Sequence, residues 1–199
     1  MIELSGFGVG EWRWLAERGS ASVDGARLKL EAPARSDWFS DPMSGARHAS
    51  APALVFTPAG DFQLSAQVKV GFASAFDAGV LFVHVDADRY AKLCFEYSPD
   101  GEPMVVSVVT RTVSDDANGP IINGNRIFLR VSRIGETFAF HHSADGERWA
   151  LTRLFSIGPD AVGSFVGFLA QSPTGDGCQV TFSNVRLDRQ TLADVRDGS

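Results

Sequence analysis

The chain is predicted to fold as an all-β sandwich of two antiparallel sheets, and three observations predict it. Long stretches alternate apolar and polar residues: Arg126 to Arg133 reads RIFLRVSR and Thr137 to His142 reads TFAFHH. A period of two puts every second side chain on one buried face, which marks half-buried strands. Turn chemistry recurs between such stretches, as in Ser143-Ala144-Asp145-Gly146 followed by Trp149. Asp and Gly tolerate the backbone angles of tight turns. Only the tail beyond Asp188 reads as helical or frayed.

The elements follow in chain order. Trp12 and Trp14 flank Arg13 in a short first strand. Ala26 to Glu31 (ARLKLE) alternates, with Leu28 and Leu30 on one face. Pro33 to Arg47 carries Trp38, Phe39, Pro42 and Gly45 and reads as an ordered loop. Ala53 to Phe56 is a short apolar strand ended by Pro58-Ala59-Gly60. In Asp61 to Val70, Phe62, Leu64, Ala66, Val68 and Val70 point one way, and Gln63, Ser65, Gln67 and Lys69 the other.

Ala78 to Val85 (AGVLFVHV) is almost wholly apolar, as expected of a central strand covered on both faces. Asp86-Ala87-Asp88 is a turn. Tyr90 to Tyr97 (YAKLCFEY) places Lys92, Cys94 and Glu96 on one face and Leu93, Phe95 and Tyr97 on the other. Ser98-Pro99-Asp100-Gly101 is a strong turn signal, and Met104 to Arg111 is a further strand. Thr112 to Asn125 is polar, contains Gly119 and Pro120, and reads as a loop. Leu151 to Phe155, Val162 to Ala170 and Gln179 to Leu187 supply the remaining strands. About ten to twelve strands with turns roughly every 8–12 residues is the sandwich pattern. With no internal repeat or linker, residues 1–199 are expected to form one domain.

Composition narrows the function. Hydrophobic residues make up 44% of the 199 positions, enough for a packed core. The net charge of −6 argues against a nucleic-acid partner, since phosphate binding needs a basic face. The start, MIELSGFGVGEWRW, lacks a basic segment followed by an apolar run, so no signal peptide is read. No stretch is long and apolar enough for a membrane span. The two cysteines, Cys94 and Cys178, are expected to be free thiols, and a cytoplasmic protein is expected.

Several stretches together resemble one family. They are Gly60-Asp61-Phe62, Phe76 to Val80, Tyr90-Ala91-Lys92 with Glu96-Tyr97, and Ser107 to Thr110. Toward the C-terminus they are Leu129-Arg130-Val131 with Arg133, Ser143 to Gly146 with Trp149, and Gly167 to Pro173. The chain resembles the bacterial and fungal "regulation of enolase" proteins, a domain of unknown function in the concanavalin A-like lectin/glucanase superfamily. The resemblance runs from about Trp38 to Val185. It implies a concanavalin A-like jelly-roll sandwich with one concave face, in a superfamily that includes glycan-binding modules and accessory domains of glycosidases. Where relatives often carry a polar-aromatic segment, this chain has Ser114-Asp115-Asp116-Ala117-Asn118-Gly119, without a ring.

The expected site is a polar groove that binds a carbohydrate or similar polar small molecule without catalysis. Lys92 and Glu96 share one face of a strand. Arg130 has the forked geometry that suits a carboxylate. His142 and Gln171 add polar contacts, and Trp38 is a candidate stacking wall, with Phe39 beside it. Competing readings stay open: a solvated outer sheet with ion pairs, and Trp38 as a plug at the end of the sandwich. Phe138 and Phe140 share a face with His142, which points that face toward the core.

Catalysis finds little support. A glycosidase needs two carboxyls about 5–10 Å apart. Glu96 is the acid inside a well-defined strand, and no Glu-x-Asp-x-x-Glu pattern is present. No Gly-x-Ser-x-Gly and no phosphate loop occurs, and no cofactor is expected. Asp86-Ala87-Asp88 and Ser114 to Asn118 have oxygen-rich composition without EF-hand spacing. His141 and His142 point to opposite faces, so no metal is expected. The alternative function is a regulatory protein acting through its surface as a homodimer. A glycoside hydrolase comes third.

Overall fold

The computed structural model describes residues 11–159 and 161–199. The reading of the first ten residues as free of a leader lies outside them. The strands in chain order are β1 (Arg13–Leu15), β2 (Ser20–Asp24), β3 (Arg27–Pro33), β4 (Trp38–Ser40), β5 (Arg47–Ala49) and β6 (Ala53–Phe56). There follow β7 (Phe62–Val70), β8 (Ala78–Asp86), β9 (Arg89–Tyr97), β10 (Pro103–Arg111) and β11 (Val113–Ile121). The last are β12 (Arg126–Ile134), β13 (Thr137–Ser143), β14 (Ala150–Ser156), β15 (Phe165–Gln171) and β16 (Gly177–Asp188).

Two seven-stranded antiparallel sheets result. The first has the order β1-β6-β15-β8-β9-β10-β11, the second β14-β13-β12-β7-β16-β3-β2. They pack face to face as a sandwich, as the alternation predicts, in the jelly-roll form that the family resemblance implies. Leu81, Leu93, Phe95, Val105 and Phe168 of the first sheet meet Leu28, Leu64, Val68, Leu129 and Phe140 of the second in one buried core. Each such side chain is worth about 1.5–3 kcal/mol when fully buried, which is why period two dominates the sequence. At Gly79 the facing sheet leaves no room for a side chain: a Cβ would lie 2.5 Å from Val68 Cγ1.

The polar stretch from Thr112 to Asn125 is a correction. Most of it is β11, the edge strand of the first sheet, paired with β10. Most of its residues are exposed, so no apolar face betrays it in sequence. Pro120 is compatible with it because an edge strand needs no donor on its outer side. The expected loop from Pro33 to Arg47 likewise contains β4, which pairs with β5 in a small hairpin. β2 is a short exposed edge strand of the second sheet.

The tail beyond Asp188 is not a helix but a strap of turns on the outer face of the second sheet. Gln63 Nε2 donates to Gln190 O at 2.9 Å, and His141 Nε2 to Val195 O at 2.9 Å. Among the described residues no helix is long and apolar enough to cross a membrane.

Candidate functional site

The site is built on β9. Period two sends Ala91, Leu93 and Phe95 into the inter-sheet core and leaves Lys92, Cys94 and Glu96 on the opposite, outward face of the first sheet. That face carries a second, smaller apolar cluster of Val80, Phe82, Tyr90, Met104, Val106 and Val108. The β4–β5 hairpin lies across part of it. The rest opens into a cavity of about 630 Å³.

Trp38 fastens the hairpin down. Its ring meets Tyr90 edge-on at 5.4 Å and lies 5.1 Å from Phe82, and Nε1 donates to Ala51 O at 2.6 Å. At 5% exposure it has no face left for a ligand. Trp38 therefore positions its neighbours, and it does so on the outer face of the first sheet, not at the end of the sandwich. Asp37 and Phe39, on either side of it, are the residues that face the cavity.

The floor is an ion pair. Lys92, 2% exposed, donates from Nζ to Asp37 Oδ1 and to Gln171 Oε1, both at 3.0 Å. Asp37 Oδ1 also accepts from Trp38 N at 2.7 Å. Burial works against the Lys92 ammonium, but Asp37, Cys94 and Glu96 more than offset it and hold its pKa above the ordinary value. Gln171 in turn donates to Phe76 O at 3.4 Å.

Glu96 lies on the next outward rung but one. Gln171, Ala78, Glu96 and Met104 are cross-strand partners in a row, and Ala78 is too small to fill the space between Gln171 and Glu96. The Glu96 carboxyl makes no hydrogen bond within the described protein. Burial, opposed by Lys92 and reinforced by Asp37 and Asp116, raises its pKa to about 8. At neutral pH it is therefore mostly a carboxylic acid, able to donate as well as accept. Asp37 then remains as the counter-ion of Lys92.

Two walls escaped sequence reasoning. Asp116 and Asn118 come from β11 and line the cavity, two residues apart on one face of a strand read as a loop. Phe76 lines it from the loop before β8, with φ +68 and a partly exposed ring. A bulky residue in the left-handed region is uncommon and costs on the order of 1–3 kcal/mol, so the surrounding structure must hold it there. Its N–H donates to Tyr97 O at 2.7 Å. The positive φ has no sequence signal, whereas the Ser-x-Asp-x-Asn alternation of β11 was visible but lacked apolar partners.

The structure brings Lys92, Glu96 and Gln171 together, leaves Trp38 buried beside them, and separates Arg130 and His142 from them on the second sheet. Arg130 faces outward from the second sheet, beneath the ring of Trp149 at 4.2 Å. Burial lowers its pKa to about 10. His142 lies near the edge of that sheet, half-buried, with Nδ1 2.8 Å from Thr152 Oγ1. Among the described residues, no cluster of three or more His, Cys, Asp or Glu side chains is arranged to hold a metal ion. Cys94 and Cys178 are free thiols, and burial raises both, Cys178 to about 12.

The family model described as "Protein of unknown function (DUF1349)" matches residues 14–190. No curated protein matches the chain. A functionally unknown protein from Saccharomyces cerevisiae has a similar structure, with a TM-score of 0.82 and 25% identity over 90% of this chain and 97% of that one. The GH43 BlXynB protein from Bacillus licheniformis is similar at a TM-score of 0.66 and 13% identity, covering 82% of this chain but 33% of that one. The carbohydrate binding module CBM66 from Bacillus subtilis is similar at 0.55 and 14%, covering 88% and 94%. The last two likenesses concern the fold alone.

Proposed function

Given that the chain belongs to the DUF1349 family of proteins of unknown function, we propose that it is a non-catalytic binding module for a neutral carbohydrate or similar polar small molecule. The ligand occupies the cavity over β9. One observation carries this reading: the Glu96 carboxyl, unpaired, opens into a cavity whose floor is already satisfied by Lys92, Asp37 and Gln171. A volume of about 630 Å³ falls in the usual range for small-molecule sites. Glu96, Asp116 and Asn118 offer acceptors and donors for hydroxyls, while Phe39 and Phe76 offer rings for the C–H face of a sugar. With Asp41 and Asp116 also lining it, the cavity favours a neutral ligand over an acidic one. The carbohydrate binding module among the structural neighbours supports the reading by fold only.

Isothermal titration against neutral mono- and oligosaccharides, xylo-oligosaccharides included, tests it. A saturable ligand weakened at least about tenfold by Asp116→Ala and by Phe39→Ala is expected. A flat panel at millimolar sugar overturns it. The free thiols of Cys94 and Cys178 support a cytoplasmic setting.

A second reading follows from the tip of the β4–β5 hairpin, where Met43 is 95% exposed. Here the chain is a regulatory protein acting through its surface as a homodimer, in keeping with its resemblance to the "regulation of enolase" proteins. A mass in solution that rises with concentration and falls in Met43→Ser supports it.

A further inference from the structure

On the outward face of the second sheet, one rung crosses four strands: His141 on β13, Arg130 on β12, Ser65 on β7 and Arg186 on β16. Both arginines flank Ser65, so their Cα atoms stand about 10 Å apart, two strand spacings. Leu129, Val131, Leu64 and Ala66 go into the core, which turns Arg130 and Ser65 outward. A bulge between Ser183 and Arg186, with Asn184 at φ +51, brings Arg186 onto the same rung. Arg130, Arg186, Ser65, Gln63, Asn184 and Trp149 line a cavity of about 410 Å³.

Arg130 is 6% exposed, and its guanidinium is under-used. Of its five N–H groups, one is bonded within the described protein, from Nη2 to Gly198 O at 2.7 Å. Its Nε has no partner. Neither Arg130 nor Arg186 has a carboxylate oxygen within 4.0 Å among the described residues. A buried cation without a counter-ion or full hydrogen bonding is costly.

The acids bordering the cavity do not relieve it. Asp145 Oδ1 accepts from Glu147 N and Arg148 N, both at 2.9 Å, and serves the turn. Asp188 Oδ1 accepts from Gln190 N at 2.9 Å, and Glu147, the third acid on the rim, is solvent-exposed and more than 4.0 Å from either guanidinium.

We propose that this cavity is a second ligand site, on the opposite outer face from the one over β9, and that it takes a carboxylate on a polyhydroxylated skeleton, a sugar acid. Arg130 and Arg186 hold the carboxylate, a charge-assisted contact of the strong kind. Gln63, Ser65 and Asn184 meet the hydroxyls, and Trp149 walls the skeleton. The two sites differ in how their cations are used: Lys92 of the first is already paired with Asp37, whereas Arg130 and Arg186 of the second, although Asp145, Glu147 and Asp188 border the same cavity, have no carboxylate oxygen within 4.0 Å among the described residues.

Titration calorimetry of the full chain with sodium glucuronate at low salt tests this, with glucose and acetate as companions. Glucuronate should bind saturably and more tightly than acetate. Arg186→Gln, at an exposed position, should fold normally and weaken glucuronate at least about tenfold. Arg130→Lys should weaken it as well, and Asp116→Ala should leave it unchanged. The proposal falls if wild-type protein shows no saturation at tens of millimolar glucuronate. It falls equally if both arginine variants bind like wild type, or if acetate binds as tightly as glucuronate.

Discussion

Lys92 Nζ lies 3.0 Å from Asp37 Oδ1, although the two residues are 55 positions apart in the chain. The pair ties the β4–β5 hairpin to the middle of the first sheet and forms the floor of the cavity. Lysine is there because the strand alternation turns position 92 away from the core, and the hairpin then buries it. Only an acid delivered by that hairpin makes the burial tolerable.

Removing one partner should therefore hurt more than removing both. Lys92→Met leaves Asp37 without its cation and should cost about 3 kcal/mol of unfolding free energy. Lys92→Met with Asp37→Asn should recover a substantial part. Urea denaturation of the three proteins measures this, and a single variant as stable as wild type would contradict the pairing.

Glu96 makes stability pH-dependent. Its folded pKa of about 8 lies above the unfolded value near 4.3, so the folded state holds the proton more tightly. The stabilisation is complete below the unfolded pKa and is lost as pH rises through about 8, by at most about 1.4 kcal/mol per pH unit. Glu96→Gln should flatten the melting temperature across pH 5–9 relative to wild type, roughly the window those two values define. Parallel curves for the two proteins would show that Glu96 titrates normally.

Phe76 separates stability from binding. Glycine accepts φ +68 without strain, so Phe76→Gly should stay within about 1 kcal/mol of wild type. Phe76→Val, β-branched in the left-handed region, should lose about 1–2 kcal/mol more. Both should weaken a ligand in the cavity over β9. Denaturation paired with calorimetry reads the two effects, and equal stability of the two variants would mean the backbone is not constrained there.

The C-terminal strap should respond to acid through His141. Burial, with Arg130 and His142 adding to it and the Val195 carbonyl opposing it, lowers this imidazole to about 4. The group is neutral when docked, and its Nε2–H donates to Val195 O. A lowered histidine costs stability as pH falls from about 6.5 toward 4, because the undocked form takes the proton first. In NMR titrations His141 should shift toward its ordinary pKa in Gly198→Ala. A Cβ at position 198 would sit 2.5 Å from Arg130 Nη2, at φ +76, and should lift the strap. An unchanged His141 titration would show that the strap does not cover it.

The sequence was most legible where burial acts on alternate residues. β7 buries one face, and β9, β12 and β13 turn most of their apolar side chains to the core side even though parts of their outer faces are covered too, so period two reveals both the strands and their inward sides. That is also why Lys92 and Glu96 could be assigned to one face. β11 and β2 bury almost nothing and left no such trace, since edge strands are held by backbone hydrogen bonds that any polar residue supplies.

The sequence by itself determined an all-β sandwich of two antiparallel sheets, the facing of its long strands, and a set of polar residues turned away from the core. Tertiary structure alone decided which outer face each belongs to. Lys92, Glu96 and Gln171 share the first sheet because β15, β8 and β9 are hydrogen-bonded neighbours, while Arg130 stands on the second beside β7. Alternation is a property of one strand and its local burial. The sheet a strand joins depends on pairing with segments tens of residues away, and no local pattern encodes that choice.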